Sequence, residues 1–536
     1  MSTGNPLNRK YTYTNQSLLF FVLIFIFTLH TESQNSDKKA PNIVFIMSDD
    51  HSVSSISAYK DWLAEVAPTP NIDRIANEGM LMNTTFNTNS ICGPSRAAIL
   101  TGKYAHVNGF YKNEGGGDFD GNQQTFPKIL QQNGYQTAVI GKWHLGTIPT
   151  GFDYSKVMIN HGGQGSYNNT VYLENGRDTI REKQRHSTEQ VAHDAINWIQ
   201  NKRDKDKPFM LMYQFKAPHR PWTPNRKFDS LFSDKDLPYP ETFNDDYSGR
   251  LAASENMLEI ENHMNRKDLK LTPPSGLSKK ELNKWNRLGN NGEFWTPNDS
   301  LQGEDLKKWK YQRYIKDYLR CVAGVDESVG KMLDYLKENN LEENTIIVYT
   351  SDQGFYLGEH GWFDKRWMYE PSFRMPFMIK YPNNIKPGSV NNELLLNIDF
   401  APTLLDLAGI NTPEDMQGES FKNQLLNKEY KKRNAVYYHY YEYPFWHKVQ
   451  PHYGVRTNRY KLIHYYYNMD EWELFDLSED KNEINNLYAK EGFEEITKDL
   501  KAELIQLQVK YKDDMSLDEM RKMTDTRIKR IYNSKK

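Results

Sequence analysis

Four short runs in this chain are apolar on both faces, and each ends in residues able to do chemistry. Residues 42–47 (NIVFIM) lead into Ser48-Asp49-Asp50-His51, and 346–350 (IIVYT) into Ser351-Asp352-Gln353-Gly354. The runs 136–140 (QTAVI) and 209–215 (FMLMYQF) complete the set. A strand covered on both sides does not alternate apolar with polar residues, so such runs belong to a buried sheet with parallel neighbours. Helical spacing appears between them. Tyr318, Val322, Val325, Val329, Met332, Leu333 and Leu336 recur every three or four positions and give 314–336 one apolar face, on which Cys321 reads as inert packing. Strand–helix alternation predicts an α/β fold, a large doubly wound mixed sheet flanked by helices, with ligands at the carboxyl ends of its strands. The acidic pairs at 49–50 and 352–353 fall at such ends.

Arg9 and Lys10 precede the apolar run 18–27 (LLFFVLIFIF), which is too short for a membrane span of about 20 residues. Residues 1–34 therefore read as a signal peptide, cleaved near Ser33 or Gln34, and the expected location is exported, periplasmic or secreted, with no stable membrane insertion. No cysteine follows that run, which excludes a lipoprotein anchor. Residues 41–430 are expected to form the catalytic domain, with a polar insertion at 225–310. Residues 431–536 are expected to form a C-terminal subdomain, a small antiparallel sheet plus a charged helix over 492–512, with the turn Thr457-Asn458-Arg459 between two of its strands. The balance of 68 basic against 70 acidic residues gives no pull toward nucleic acid. Two cysteines, Cys92 and Cys321, exclude a disulfide framework and a cysteine-rich zinc site. The 34 tyrosines and 11 tryptophans suit stacking against sugars and suit ordinary packing equally well.

The sharpest local feature is 90–102, Ser90-Ile91-Cys92-Gly93-Pro94-Ser95-Arg96-Ala97-Ala98-Ile99-Leu100-Thr101-Gly102. By itself Cys92 reads as a buried cysteine before a Pro-initiated helix. An Asp-Asp pair at a strand end reads as a helix cap or as metal ligands, and a lone Lys there as a solvated side chain. Yet C-x-P-S-R followed by L-T-G resembles the signature of the formylglycine-dependent sulfatases, a family within the alkaline-phosphatase-like superfamily. Gly93 stands where that family more often has another small or a hydroxyl-bearing residue. The resemblance spans about 41–490, including Phe475-Asp476-Leu477 and Asn485-Asn486-Leu487.

The resemblance implies that a maturation enzyme converts Cys92 to formylglycine, whose hydrated form is the nucleophile. It implies one Ca²⁺ held by Asp49, Asp50, Cys92, Asp352 and Gln353; all-oxygen donors favour calcium over zinc. Family members usually carry Asp followed by Asn or His at the second pair, so Gln353, with a longer arm, departs from the pattern. The block Gly141-Lys142-Trp143-His144-Leu145-Gly146 matches G-K-W-H-x-G, which makes Lys142 a fixed positive charge and His144 the base that releases sulfate. In Ala217-Pro218-His219-Arg220-Pro221, His219 would protonate the leaving sugar oxygen. Lys365, in Asp364-Lys365-Arg366, would bind sulfate, and Arg96 would pair with the acidic or diol oxygens. His360 reads as structural or supporting. Candidate sugar contacts are Arg220, Trp222, His447, His452 and Arg456.

The expected activity is hydrolysis of sulfate esters on a sulfated polysaccharide or its oligosaccharides, with a marine algal glycan such as ulvan favoured. The alternative substrate is a glycosaminoglycan bearing N-acetylglucosamine 6-sulfate. A phosphatase or phosphonate hydrolase of the same superfamily and an inactive glycan-binding relative are the competing classes.

Overall fold

Each of the four doubly apolar runs is a strand at the centre of one sheet. The computed structural model describes residues 1, 39–113, 119–271, 278–280, 283 and 301–534. The expected signal peptide, Met1 apart, and much of 272–300 within the expected insertion lie outside the described residues. In chain order the strands of the large sheet are β1 (Asn42–Asp49), β2 (Met80–Met82), β3 (Gln136–Gly141), β4 (Tyr154–Met158), β5 (Val171–Glu174), β6 (Asp178–Arg181), β7 (Phe209–Pro218), β8 (Thr345–Ser351), β9 (Phe377–Lys380) and β10 (Ser389–Asn391). They lie side by side as β10-β2-β9-β8-β1-β7-β3-β4-β5-β6.

The central five, β8-β1-β7-β3-β4, are parallel, while β9 pairs antiparallel with both β8 and β2, and β5 antiparallel with β4 and β6, so the sheet is mixed as expected. Every residue of β1, β7 and β8 is buried, which is why their sequences carry no polar face. Val44 and Ile46 face one core, while Phe45 meets Phe126 and Phe400 on the other side. Ser48 pairs with Ser351 at the end of the β1–β8 ladder. That register sets the 49–50 and 352–353 pairs beside each other.

Helices α1 (Pro70–Asn77), α2 (Cys92–Thr101), α3 (Ser187–Asn197) and α4 (Gly303–Glu338) flank the sheet, and α4 packs on α1, α3 and β7. Helix α4 begins at Gly303, ahead of the apolar repeat over 314–336. Glu304 and Asp305 occupy its first turn and Lys337 its last, an order that suits the helix dipole. Cys321 is buried in its apolar face, as the spacing predicts.

The C-terminal part holds four antiparallel strands, β11 (Ala435–Tyr440), β12 (His452–Thr457), β13 (Tyr460–Tyr465) and β14 (Glu471–Asp476), in sequential order. Thr457 Oγ1 accepts the Tyr460 N–H at 2.9 Å and closes the expected turn. Helix α5 (Glu494–Tyr511) is the expected charged helix, and its Leu500, Leu504, Leu507 and Tyr511 are buried. A further helix, α6 (Leu517–Ser534), has no counterpart in the sequence reading. Residues 41–536 form one compact unit, so the C-terminal sheet is an appendage of the same body. Among the described residues no helix is long and apolar enough to cross a membrane.

Candidate active site

The carboxyl ends of β1, β3, β7 and β8 meet the amino end of α2, and their loops deliver the polar residues. Cys92 is the first residue of α2 and is 1% exposed. Its Sγ lies 3.3 Å from Lys365 Nζ and 4.0 Å from Asp50 Oδ1. One turn on, Arg96 donates through Nε to Asp352 Oδ2 at 3.0 Å and through Nη1 to Lys142 O and Gln214 Oε1, each at 3.0 Å. The i to i+4 spacing puts residue 92 and this guanidinium on one helix face. Lys142 reaches Asp49 Oδ2, and Lys365 reaches Asp50 Oδ1.

Asp49, Asp50 and Asp352 each bring an oxygen within 4.8 Å of the others, and all three are buried. Three buried oxygens at this spot accept no hydrogen bond: Asp49 Oδ1, Asp50 Oδ2 and Gln353 Oε1. Burial pushes the Asp50 carboxyl up to about 6 and that of Asp352 up to about 7, and the Asp49 charge adds to both. Asp49 itself is held well below the usual range, because Lys142, His219, Arg96 and Lys365 outweigh its burial. Three carboxylates crowded this way resist full ionisation unless a further cation joins them. Hard oxygen donors with unused lone pairs are what a divalent cation such as calcium requires, so these residues fit one.

Burial pushes the Cys92 thiol up to about 12, against the lowering pull of Lys142 and Lys365. A thiol held there is not ionised near neutral pH, so an unmodified Cys92 is a poor nucleophile.

His219 follows β7, with Nε2 3.7 Å from Asp50 Oδ2 and Nδ1 2.7 Å from Arg220 O. A ring nitrogen facing a carbonyl carries the proton, so Nδ1 donates and Nε2 is turned to the site. His144 follows β3 with φ 57° and its Nδ1 has no hydrogen-bond partner. Burial lowers the pKa of both rings, with Lys142 acting in the same direction.

The sugar candidates divide. Arg220 Nη2 lies 3.0 Å from Asp364 Oδ2 and 3.3 Å from His447 Nε2, and His447 Nε2 is 3.2 Å from the same Asp364 oxygen. These residues, with Arg366 on Asp364 Oδ1, form a polar patch next to Lys365. The other three stand elsewhere. Trp222 is 1% exposed and packs on Tyr314 with ring centroids 4.4 Å apart, so it is core. His452 is fully buried among Trp367, Tyr438, Tyr440 and Tyr465, with Nδ1 on Gln450 O. Arg456 lies over the Phe86 ring and donates to Glu370 Oε1 at 3.3 Å, bracing the C-terminal sheet. His360 bonds through Nδ1 to Asp245 Oδ2 at 2.6 Å, a structural tie to the described part of the insertion.

Several residues at the site escape the sequence reading. Gln164 Oε1 accepts from Lys142 Nζ at 2.6 Å. Lys216, buried near the end of β7, donates to Arg220 O at 3.4 Å. Its position at a strand end is a signal that could have found it. Glu442 and Asn113 come from segments with no motif and meet through a 2.8 Å bond.

A buried carboxylate trio with two lysines and an arginine beside Cys92 suits a divalent cation and an anionic ligand. Comparison with known proteins narrows the class. A sulfatase family model matches residues 41–410, and one described as N-sulphoglucosamine sulphohydrolase, C-terminal, matches 358–510. The chain belongs to the sulfatase family, and it is a sulfuric ester hydrolase. An N-acetylglucosamine-6-O-sulfatase of Bacteroides thetaiotaomicron is 45% identical, over 90% of this chain and 88% of its own. A solved protein in complex with its substrate D-glucosamine-2-N,6-O-disulfate is 44% identical with TM-score 0.83, over 90% of this chain and all of that one. An ulvan-active sulfatase of Formosa agariphila is only 26% identical, over 88% of this chain and 82% of its own. The glucosamine alternative therefore fits better than the ulvan expectation.

Proposed function

We propose that this sulfatase removes the 6-O-sulfate from glucosamine or N-acetylglucosamine units of a sulfated glycan, with formylglycine at position 92. The observation that carries the reading is the 45% identity to an N-acetylglucosamine-6-O-sulfatase over 90% of the chain. Calcium on Asp49, Asp50, Asp352 and the Gln353 carbonyl would supply positive charge beside the sulfate, and formylglycine would supply a hydroxyl nucleophile in place of an inert thiol.

The remaining roles follow from the side chains. Lys142 and Lys365 carry fixed charge to the sulfate oxygens. Arg96 holds Asp352 in place. His219, anchored through Nδ1 on Arg220 O, can protonate the leaving sugar oxygen only as the imidazolium, with a second proton on Nε2 beside Asp50 Oδ2, and His144 takes up the proton whose loss frees sulfate. Asp364, Arg220 and His447 suit the sugar hydroxyls. The apolar run 18–27 supports export of the protein.

The test is sulfate release from N-acetylglucosamine 6-sulfate, from D-glucosamine-2-N,6-O-disulfate and from ulvan oligosaccharides, beside phosphate release from 4-nitrophenyl phosphate. Mass spectrometry of the Cys92 peptide accompanies it, with the enzyme assayed before and after chelation. Turnover of the 6-sulfated glucosamines, lost on chelation and restored by calcium, is the expected result. Faster cleavage of ulvan fragments or of the phosphate ester would overturn the substrate assignment.

A further inference from the structure

The helix that presents residue 92 begins without a cap of its own. Its N-cap residue, Ile91, makes no side-chain cap bond. Ser95 N bonds Ile91 O at 3.0 Å, and Pro94 has no N–H. Cys92 and Gly93 are thus left with the open donors of the first turn. The segment 110–113 crosses this turn from beyond the far end of α2. Asn113 Oδ1 accepts the Gly93 N–H at 3.0 Å, and the Asn113 N–H donates to Glu442 Oε2 at 2.8 Å. Phe110, 3% exposed, covers the same backbone. A Cβ at position 93 would lie 2.6 Å from Asn113 Oδ1, 3.1 Å from Phe110 Cζ and nearer still to Phe110 Cε1. Such approaches leave room only for glycine while 110–113 keep their place.

We propose that Asn113 is a positioning residue for sulfate-ester cleavage. Its side chain caps α2 from another segment and, with Phe110, fixes the turn that holds residue 92 against Lys365 and Asp50. Glu442 fixes Asn113 in turn, so this cap ties the nucleophile position to the C-terminal part. Small displacements of a reacting group cost rate disproportionately, so a frayed first turn lowers turnover rather than substrate affinity. The functional half rests on the reading of residue 92 as the nucleophile.

Wild type, Asn113→Ala, Asn113→Asp, Gly93→Ala and the double variant Gly93→Ala/Asn113→Ala are each produced with a formylglycine-generating enzyme. Two quantities are read: amide exchange at Gly93, and kcat and KM normalised to the formylglycine content of the Cys92 peptide. Asn113→Ala is expected to speed Gly93 exchange and to lower kcat about three- to tenfold with KM little changed, the worth of one hydrogen bond. Asn113→Asp, which keeps an acceptor, retains slow exchange. Gly93→Ala displaces Asn113, so the double variant should lose no more than Gly93→Ala alone. Unchanged exchange in Asn113→Ala, or additive losses in the double variant, overturns the proposal. If residue 92 stays a thiol in every preparation, the nucleophile reading fails, while the exchange measurement still decides whether Asn113 caps the turn.

Discussion

His219 and Trp222 sit three positions apart, yet one faces Cys92 and the buried carboxylates and the other the core. The difference is where β7 ends: His219 is on the loop beyond Pro218, with Nδ1 on Arg220 O, while Trp222 turns back onto Tyr314 and Phe355. A sugar alcohol is a poor leaving group and needs a proton, whereas 4-nitrophenolate leaves without one. His219→Gln is therefore expected to cut sulfate release from a sugar sulfate about 10²–10⁴-fold and release from 4-nitrophenyl sulfate far less. Equal losses on both would remove His219 from the acid role. Trp222→Phe should leave KM for the sugar unchanged and lower stability by about 1–3 kcal/mol, read as a shift in thermal midpoint. The motif-borne residues are legible in the sequence because strand-end position and chemistry coincide in Asp49, Lys142, His219 and Asp352. Trp222 and His452 are not, since an aromatic or imidazole side chain suits a buried cluster as well as a sugar, and only tertiary packing decides.

Among the elements, β14 carries an unusual interior carboxyl group. Glu473 is fully buried and accepts from Tyr369 Oη at 2.7 Å and Tyr465 Oη at 3.0 Å. Burial, with the Glu471 charge added, pushes its carboxyl up to about 8 from an ordinary 4.5. The folded state thus holds a proton that the unfolded chain releases near 4.5. Its contribution to stability is complete below that pH and is lost as pH rises toward 8. Glu473→Gln, neutral throughout, should flatten the fall in thermal midpoint between pH 5 and 8 relative to wild type. Parallel curves for the two proteins would show that Glu473 ionises normally. Strands β1, β7 and β8 are legible as unbroken apolar runs, and α4 as a three–four repeat. Helix α6 escapes because Thr524 and Arg527 occupy buried positions beside Met520, where an apolar stripe would have announced it. The early start of α4 escapes for a similar reason, since its first turn is charged and exposed.

At the scale of the whole chain, loops of the large sheet and of the C-terminal strands meet in one polar patch beside Lys365. Asp364 and Arg220 come from the first, and Glu442 and His447 from the loop between β11 and β12. That loop is held from behind where Arg527 of α6 donates to Tyr441 O, while Arg521 Nε donates to Tyr466 O, just past β13, at 2.7 Å. Loosening α6 should then disturb sugar recognition and leave sulfate chemistry nearly intact, because Lys142, Arg96 and the three carboxylates stand at strand ends of the main sheet or on α2. Arg527→Ala, which removes the bond to Tyr441, is expected to raise KM for a 6-sulfated glucosamine about three- to tenfold while kcat for 4-nitrophenyl sulfate stays within twofold. Steady-state kinetics on the two substrates side by side checks this. Equal loss on both would mean that α6 steadies the first turn of α2, through Glu442 and Asn113, as much as it steadies the loop that carries His447.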